Sequence, residues 1–96
     1  MLAEYGLLLI SGGIDKDRGI IVDGIKITTR GWFEGEHDQS LLELVASNVR
    51  ESIDVALRDG ERDPVALNKV AQRTAGRLLG QKYRRQPVLL AALAVF

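Results

Sequence analysis

Hydrophobic and polar positions change rhythm several times along this chain, and each change marks an element. From Tyr5 to Ile14 most residues are apolar or glycine, the pattern of a strand covered on both faces. Asp15-Lys16-Asp17-Arg18-Gly19 follows as a polar turn ending in glycine, which suits a hairpin loop. From Ile20 to Trp32 a second strand is expected. Ile25, Ile27 and Thr29 alternate with Lys26, Thr28 and Arg30, so one side faces in and the other out. Asp23-Gly24 interrupts that alternation and predicts a bulge.

After Gly35-Glu36-His37-Asp38 the period lengthens. Leu42, Val45, Val49, Ile53, Ala56 and Leu57 recur at three-four spacing and form one apolar stripe of a first helix. Asp38 suits its N-cap, with Ser40 and Glu43 as an alternative capping box, and Gly60 suits its stop. Asp63-Pro64 opens a second helix, where the missing proline N–H costs nothing. Leu67, Val70, Ala71, Thr74, Ala75, Leu78 and Leu79 form its buried side. Gly76 and Gly80 weaken it by about 1 kcal/mol each against alanine and permit close approach to a neighbour. Pro87 pushes Gln86 towards extended geometry and ends the helix. Val88–Phe96, with no charged residue, is the third strand. The order strand, strand, helix, helix, strand predicts an α+β fold, a small three-stranded sheet with two helices on one face, and residues 1–96 are expected to form a single domain.

Charge and composition narrow the functional classes. Lys and Arg total 13 and so do Asp and Glu, which leaves no net charge and no whole-chain pull towards nucleic acid. The distribution is less even. Lys69, Arg73, Arg77, Lys82, Arg84 and Arg85 follow one another with no acid between, after a stretch from Glu43 to Asp63 that is mainly acidic. The absence of cysteine excludes disulfides and thiolate metal sites and fits a cytoplasmic location. Met1-Leu2-Ala3-Glu4 lacks the basic start of a signal peptide, and the final uncharged run is about half the roughly 20 residues of a membrane helix, so no membrane partner is expected.

Candidate chemistry is sparse. His37 is the one histidine, and a single imidazole beside Glu36 and Asp38 makes no metal site. Ser11-Gly12-Gly13 resembles part of a phosphate loop but lacks its lysine and hydroxyl, and reads as a glycine pair easing a strand bend. No nucleophile has a base at hand other than His37, so no catalytic residue is assigned and the chain alone is not expected to be an enzyme. Two surfaces remain. Arg73, Arg77, Lys82, Arg84 and Arg85 are candidates for contact with RNA phosphates. Trp32, Val88, Leu90, Leu93, Val95 and Phe96 are candidates for an interface, because an uncharged strand edge invites another chain. Trp32 reads as a core anchor or interface residue in preference to a platform for stacking a base. A domain this short buries a modest share of its surface, which favours a homo-oligomer.

Three short motifs carry a resemblance. Leu2-Ala3-Glu4-Tyr5-Gly6 precedes the first strand, Arg30-Gly31-Trp32-Phe33 leaves the second, and Lys82-Tyr83-Arg84-Arg85-Gln86-Pro87 precedes the third. In this order and spacing the chain resembles the C-terminal domain of bacterial ribonuclease J from about Leu2 to Phe96. One departure is Ala91-Ala92, where members often have proline. The resemblance implies parents that are zinc-dependent exo- or endoribonucleases built on a metallo-β-lactamase core with a β-CASP insertion. Their metal ligands lie in an H-x-H-x-D-H signature, no part of which occurs here. It therefore implies no cofactor in this domain and zinc in the parent core. It also implies the catalytic core of the same polypeptide as a partner, oligomer assembly, and a supporting role in RNA processing and degradation. Met1 then reads as an added start. A second reading is an RNA-binding module, because the element order is also that of one KH-domain topology. The G-x-x-G clamp of that module would fall at Asp59-Gly60-Glu61-Arg62-Asp63, where three acids repel phosphate.

Overall fold

The chain was built as a computed structural model that describes residues 5–32, 35 and 37–96. Met1 to Glu4, with most of the opening motif, and Phe33, Glu34 and Glu36 lie outside the described residues. Five elements follow in the expected order: β1 (Leu7–Asp15), β2 (Ile20–Arg30), α1 (Gln39–Arg58), α2 (Pro64–Lys82) and β3 (Val88–Val95). The sheet order is β2-β1-β3, so the strand with apolar residues on both faces takes the centre. β1 pairs antiparallel with β2 and parallel with β3, which makes this a mixed sheet in an α+β fold. β2 ends at Arg30 rather than Trp32 because its partner Leu7 is the first residue of β1.

The expected bulge is present. Gly12 pairs with Ile25 and Ile14 with Ile21, so Val22-Asp23-Gly24 stands opposite Gly13 alone. Gly24 takes a φ of 72°, a left-handed conformation that glycine enters without a Cβ penalty. Gly12-Gly13 thus lies in a strand at a bend, not in a phosphate loop.

Both helices cover one face of the sheet. Leu8, Ile10 and Ile14 of β1 and Leu93 of β3 meet Leu41, Val45, Val49, Ile53 and Leu57 of α1 and Leu67, Ala71, Ala75 and Leu79 of α2. The buried row of α1 runs through Leu41 at strict four-residue spacing, and Leu42 and Ala56 flank it as half-buried neighbours. Thr74 is the buried polar residue of this set, and its hydroxyl lies 2.9 Å from both the Val70 carbonyl and the Ser52 hydroxyl. That satisfies a group whose burial alone would be costly.

Caps act where expected. The Asp38 carboxylate accepts from Leu41 N–H, and the Asp63 carboxylate from Val65 N–H ahead of Pro64. Beyond α1, Gly60 N–H donates to the Leu57 carbonyl and Glu61 N–H to that of Ala56. Arg62 then ties three segments together. Its Nε donates to the Lys16 carbonyl at 2.7 Å and its Nη1 to those of Leu57 and Glu61, so one guanidinium joins the β1–β2 turn to the end of α1. Among the described residues no helix is long and apolar enough to cross a membrane.

Candidate docking face and basic positions

The sheet has a second face, and the register defines it. Leu7, Leu9 and Ser11 of β1 lie beside Val88, Leu90 and Ala92 of β3 on one side and Arg30, Thr28 and Lys26 of β2 on the other. These side chains point away from both helices, because their neighbours along each strand form the core. The result is an apolar stripe over β1 and β3 with a basic flank over β2. Leu90 is 45% exposed and Phe96 60% exposed. Near the bulge the face dips into a shallow hollow of about 350 Å³ lined by Ser11, Gly12, Asp23, Lys26 and Ala92.

The six interface candidates divide between the two sides of the sheet. Leu90 and Phe96 are exposed and Val88 lies half-buried beside Leu7 on the open face. Leu93 belongs to the core, and Val95 packs against it. Trp32 is buried to 1% exposure, and its ring meets Tyr83 edge to face at 5.2 Å between centroids. Its surface is therefore spent inside the domain. Leu7 and Leu9 belong to the open face and were absent from the candidates. The sign was there, since a strand apolar on both sides in a domain with one helical layer leaves one side bare.

Trp32 sits in a junction that holds the entry of α1 to the exit of α2. Gly35 lies against the indole so closely that a Cβ there would overlap the ring. Asp38 accepts from Tyr83 OH at 2.9 Å and from Lys82 Nζ, besides capping α1. The Lys82 ammonium, and then the Tyr83 hydroxyl, hold the Asp38 carboxyl below its usual value, and Asp38 in turn raises Lys82. Among the described residues the indole N–H of Trp32 finds no acceptor.

The basic candidates are similarly divided. Lys82 is engaged by Asp38, and the Arg85 guanidinium lies 5.5 Å from the Tyr5 ring centre. Arg73 and Arg84 are exposed. Arg77 lines an open cleft of about 410 Å³ between the helices with Asn48, Glu51, Ser52 and Val55, where a carboxylate lowers its appeal to phosphate. The five positions thus converge on no single groove. His37 is exposed. Among the described residues no three His, Asp or Glu side chains come together as a metal site.

A protein-family model, the ribonuclease J C-terminal domain, matches residues 1–94. The chain belongs to that family. Among the relatives of this ribonuclease J C-terminal domain is the ribonuclease J of Mycolicibacterium smegmatis, 27% identical over 90 residues. The match covers 94% of this chain and 16% of that protein. Ribonuclease J of Corynebacterium glutamicum is 28% identical over 89 residues, 93% of this chain and 12% of that protein. The chain therefore spans a small part of the relatives it matches.

Proposed function

We propose that this chain is the non-catalytic accessory domain of a zinc-dependent exo- or endoribonuclease of the ribonuclease J type, and that it aids oligomer assembly for RNA processing and degradation in the cytoplasm. The supporting observation is the bare apolar stripe of Leu7, Leu9, Val88, Leu90 and Ala92 in a domain whose opposite face is closely packed. The occupant of that stripe is a second copy. A two-fold axis running along the strands stacks stripe on stripe and sends the basic β2 flanks to opposite rims, so like charges stay apart. The alanines Ala92 and Ala94 let two sheets approach to the usual spacing of about 10 Å. In this reading zinc chemistry belongs to the parent core.

Sedimentation over a rising concentration series tests this reading. The unaltered domain dimerises, and L9K/L90K shifts it to monomer while its circular dichroism is retained. A domain that stays monomeric at every concentration, within a parent whose oligomeric state survives its deletion, overturns the proposal.

A second reading, direct RNA contact, rests on the exposed Arg73 and Arg84 and on Lys69 one turn from Arg73. A KH-type clamp is disfavoured by the acids of the α1–α2 loop, whose one arginine, Arg62, already serves the β1–β2 turn. Titration with single-stranded RNA separates the readings. Binding that weakens steeply with salt and with R73E/R84E supports contact, and no binding at low salt removes it.

A further inference from the structure

β3 lies at one edge of the sheet and carries within its own sequence none of the usual protections of an edge strand. Val88–Val95 carries no charge, proline or bulge, and it runs for 8 residues. The backbone bonds at its two ends reveal which groups face outward. Val88 N–H donates to the Gly6 carbonyl and Phe96 N–H to that of Ile14, so the even-numbered residues turn their N–H and C=O towards β1. In a parallel pair the alternate residues turn theirs the other way. Leu89, Ala91, Leu93 and Val95 therefore present backbone groups along the free edge.

Two of those groups are held by side chains of α2. Asn68 Oδ1 accepts from Leu93 N–H at 2.9 Å, and Gln72 Nε2 donates to the Leu89 carbonyl at 3.2 Å. The two amides stand four residues apart and so project from one side of the helix. Gly76 of α2 also faces this end of β3, where a Cβ would make ordinary contact 3.4 Å from the Leu89 methyl. A fourth strand pairing with β3 in full register needs the Leu89 carbonyl and the Leu93 N–H, one on each side of Ala91, and both are already engaged.

We propose that Asn68 and Gln72 form an amide latch on the β3 edge that blocks strand addition. The partner it excludes is the β3 of a second copy, which would otherwise join edge to edge into a continuous six-stranded sheet. The latch leaves the open face as the route of association and is independent of whether that face is used. Its two members divide the work by chemistry, since one must accept and the other must donate.

Amide hydrogen exchange and sedimentation of the full chain test this. In the unaltered chain Leu93 N–H exchanges about tenfold more slowly than the outward N–H of Ala91, as one retained hydrogen bond predicts. N68A removes that difference while Leu8 and Ile10 stay slow, which shows the fold intact. N68D, which keeps the acceptor, preserves it. N68A/Q72A gains a species of twice the mass of the unaltered chain's own state, and the Ala91 and Val95 amides become protected as it forms. Equal exchange at Leu93 and Ala91 in the unaltered chain overturns the latch. So does a double variant that gains no larger species, or one whose larger species leaves those amides unprotected.

Discussion

The two faces of the sheet come from the same strands and differ in nearly everything else. Leu8 and Ile10 are fully buried under two helices, whereas Leu7 and Leu9, one step away along the strand, remain half-exposed on the open face. Both faces are apolar along β1 and β3. The difference arises because each helix has one buried stripe, and both stripes settle on the same side. A hydrophobic residue in this domain thus has its role set by its parity in the strand as much as by its type. The lesson for function is that the bare face retains what the covered face has spent.

The largest test of that contrast is a pair of truncations at neighbouring positions. I10A, which opens a cavity in the core, should cost about 2–5 kcal/mol. L9A, on the open face, should cost about 1 kcal/mol or less in the monomer. Urea melts of the two variants measure both, and equal losses would erase the distinction. A smaller effect is expected at the covered end of the sheet. G35A places a methyl against the Trp32 ring and should cost about 1–3 kcal/mol through overpacking, with a shift in tryptophan emission that reports the displaced indole.

The Asp38 junction sharpens the comparison through pH. The folded domain holds Asp38 below its ordinary value of 3.8, so this group's contribution is present above that value and fades as acid carries the pH down through the folded one. Lys82 is raised above 10.5, so its contribution is present below that value and is lost as the pH rises through the higher, folded one. D38N should flatten both limbs of a melting-temperature profile, which is read by thermal scans across acid and alkaline buffers. An unchanged profile would dissociate the junction from stability. The smallest effect on folding belongs to L90K, under about 0.5 kcal/mol because the side chain is exposed, yet it should lower the sedimentation coefficient of any face-to-face dimer.

Much of the fold was legible in local pattern. Asp38 and Asp63 cap the helices as expected, Asp23-Gly24 marks the bulge, and the helical stripes are correct to within the rotation that brings in Leu41. These features depend on residues within a turn or two of one another. The candidate site was less legible. Leu93 looked like an interface candidate because composition does not reveal which side of a strand a helix will cover, and for Trp32, read as core anchor or interface residue, the sequence did not choose between the two. Lys82 looked like a free cation because its partner Asp38 lies 44 residues away in the chain. Arg62, Asn68 and Gln72 carried no local sign of their bonds to Lys16, Leu93 and Leu89.

The amino-acid order alone determined five elements, their caps and a final strand without charge, since periodicity and capping are short-range effects of backbone geometry. Only the tertiary structure decided that β3 runs parallel to β1, that α2 guards its edge, and that the open face joins Leu7 and Leu9 to Leu90. Those outcomes depend on contacts between segments far apart in the chain, where the burial of both helices on one side selects a single arrangement from several that satisfy the local pattern equally.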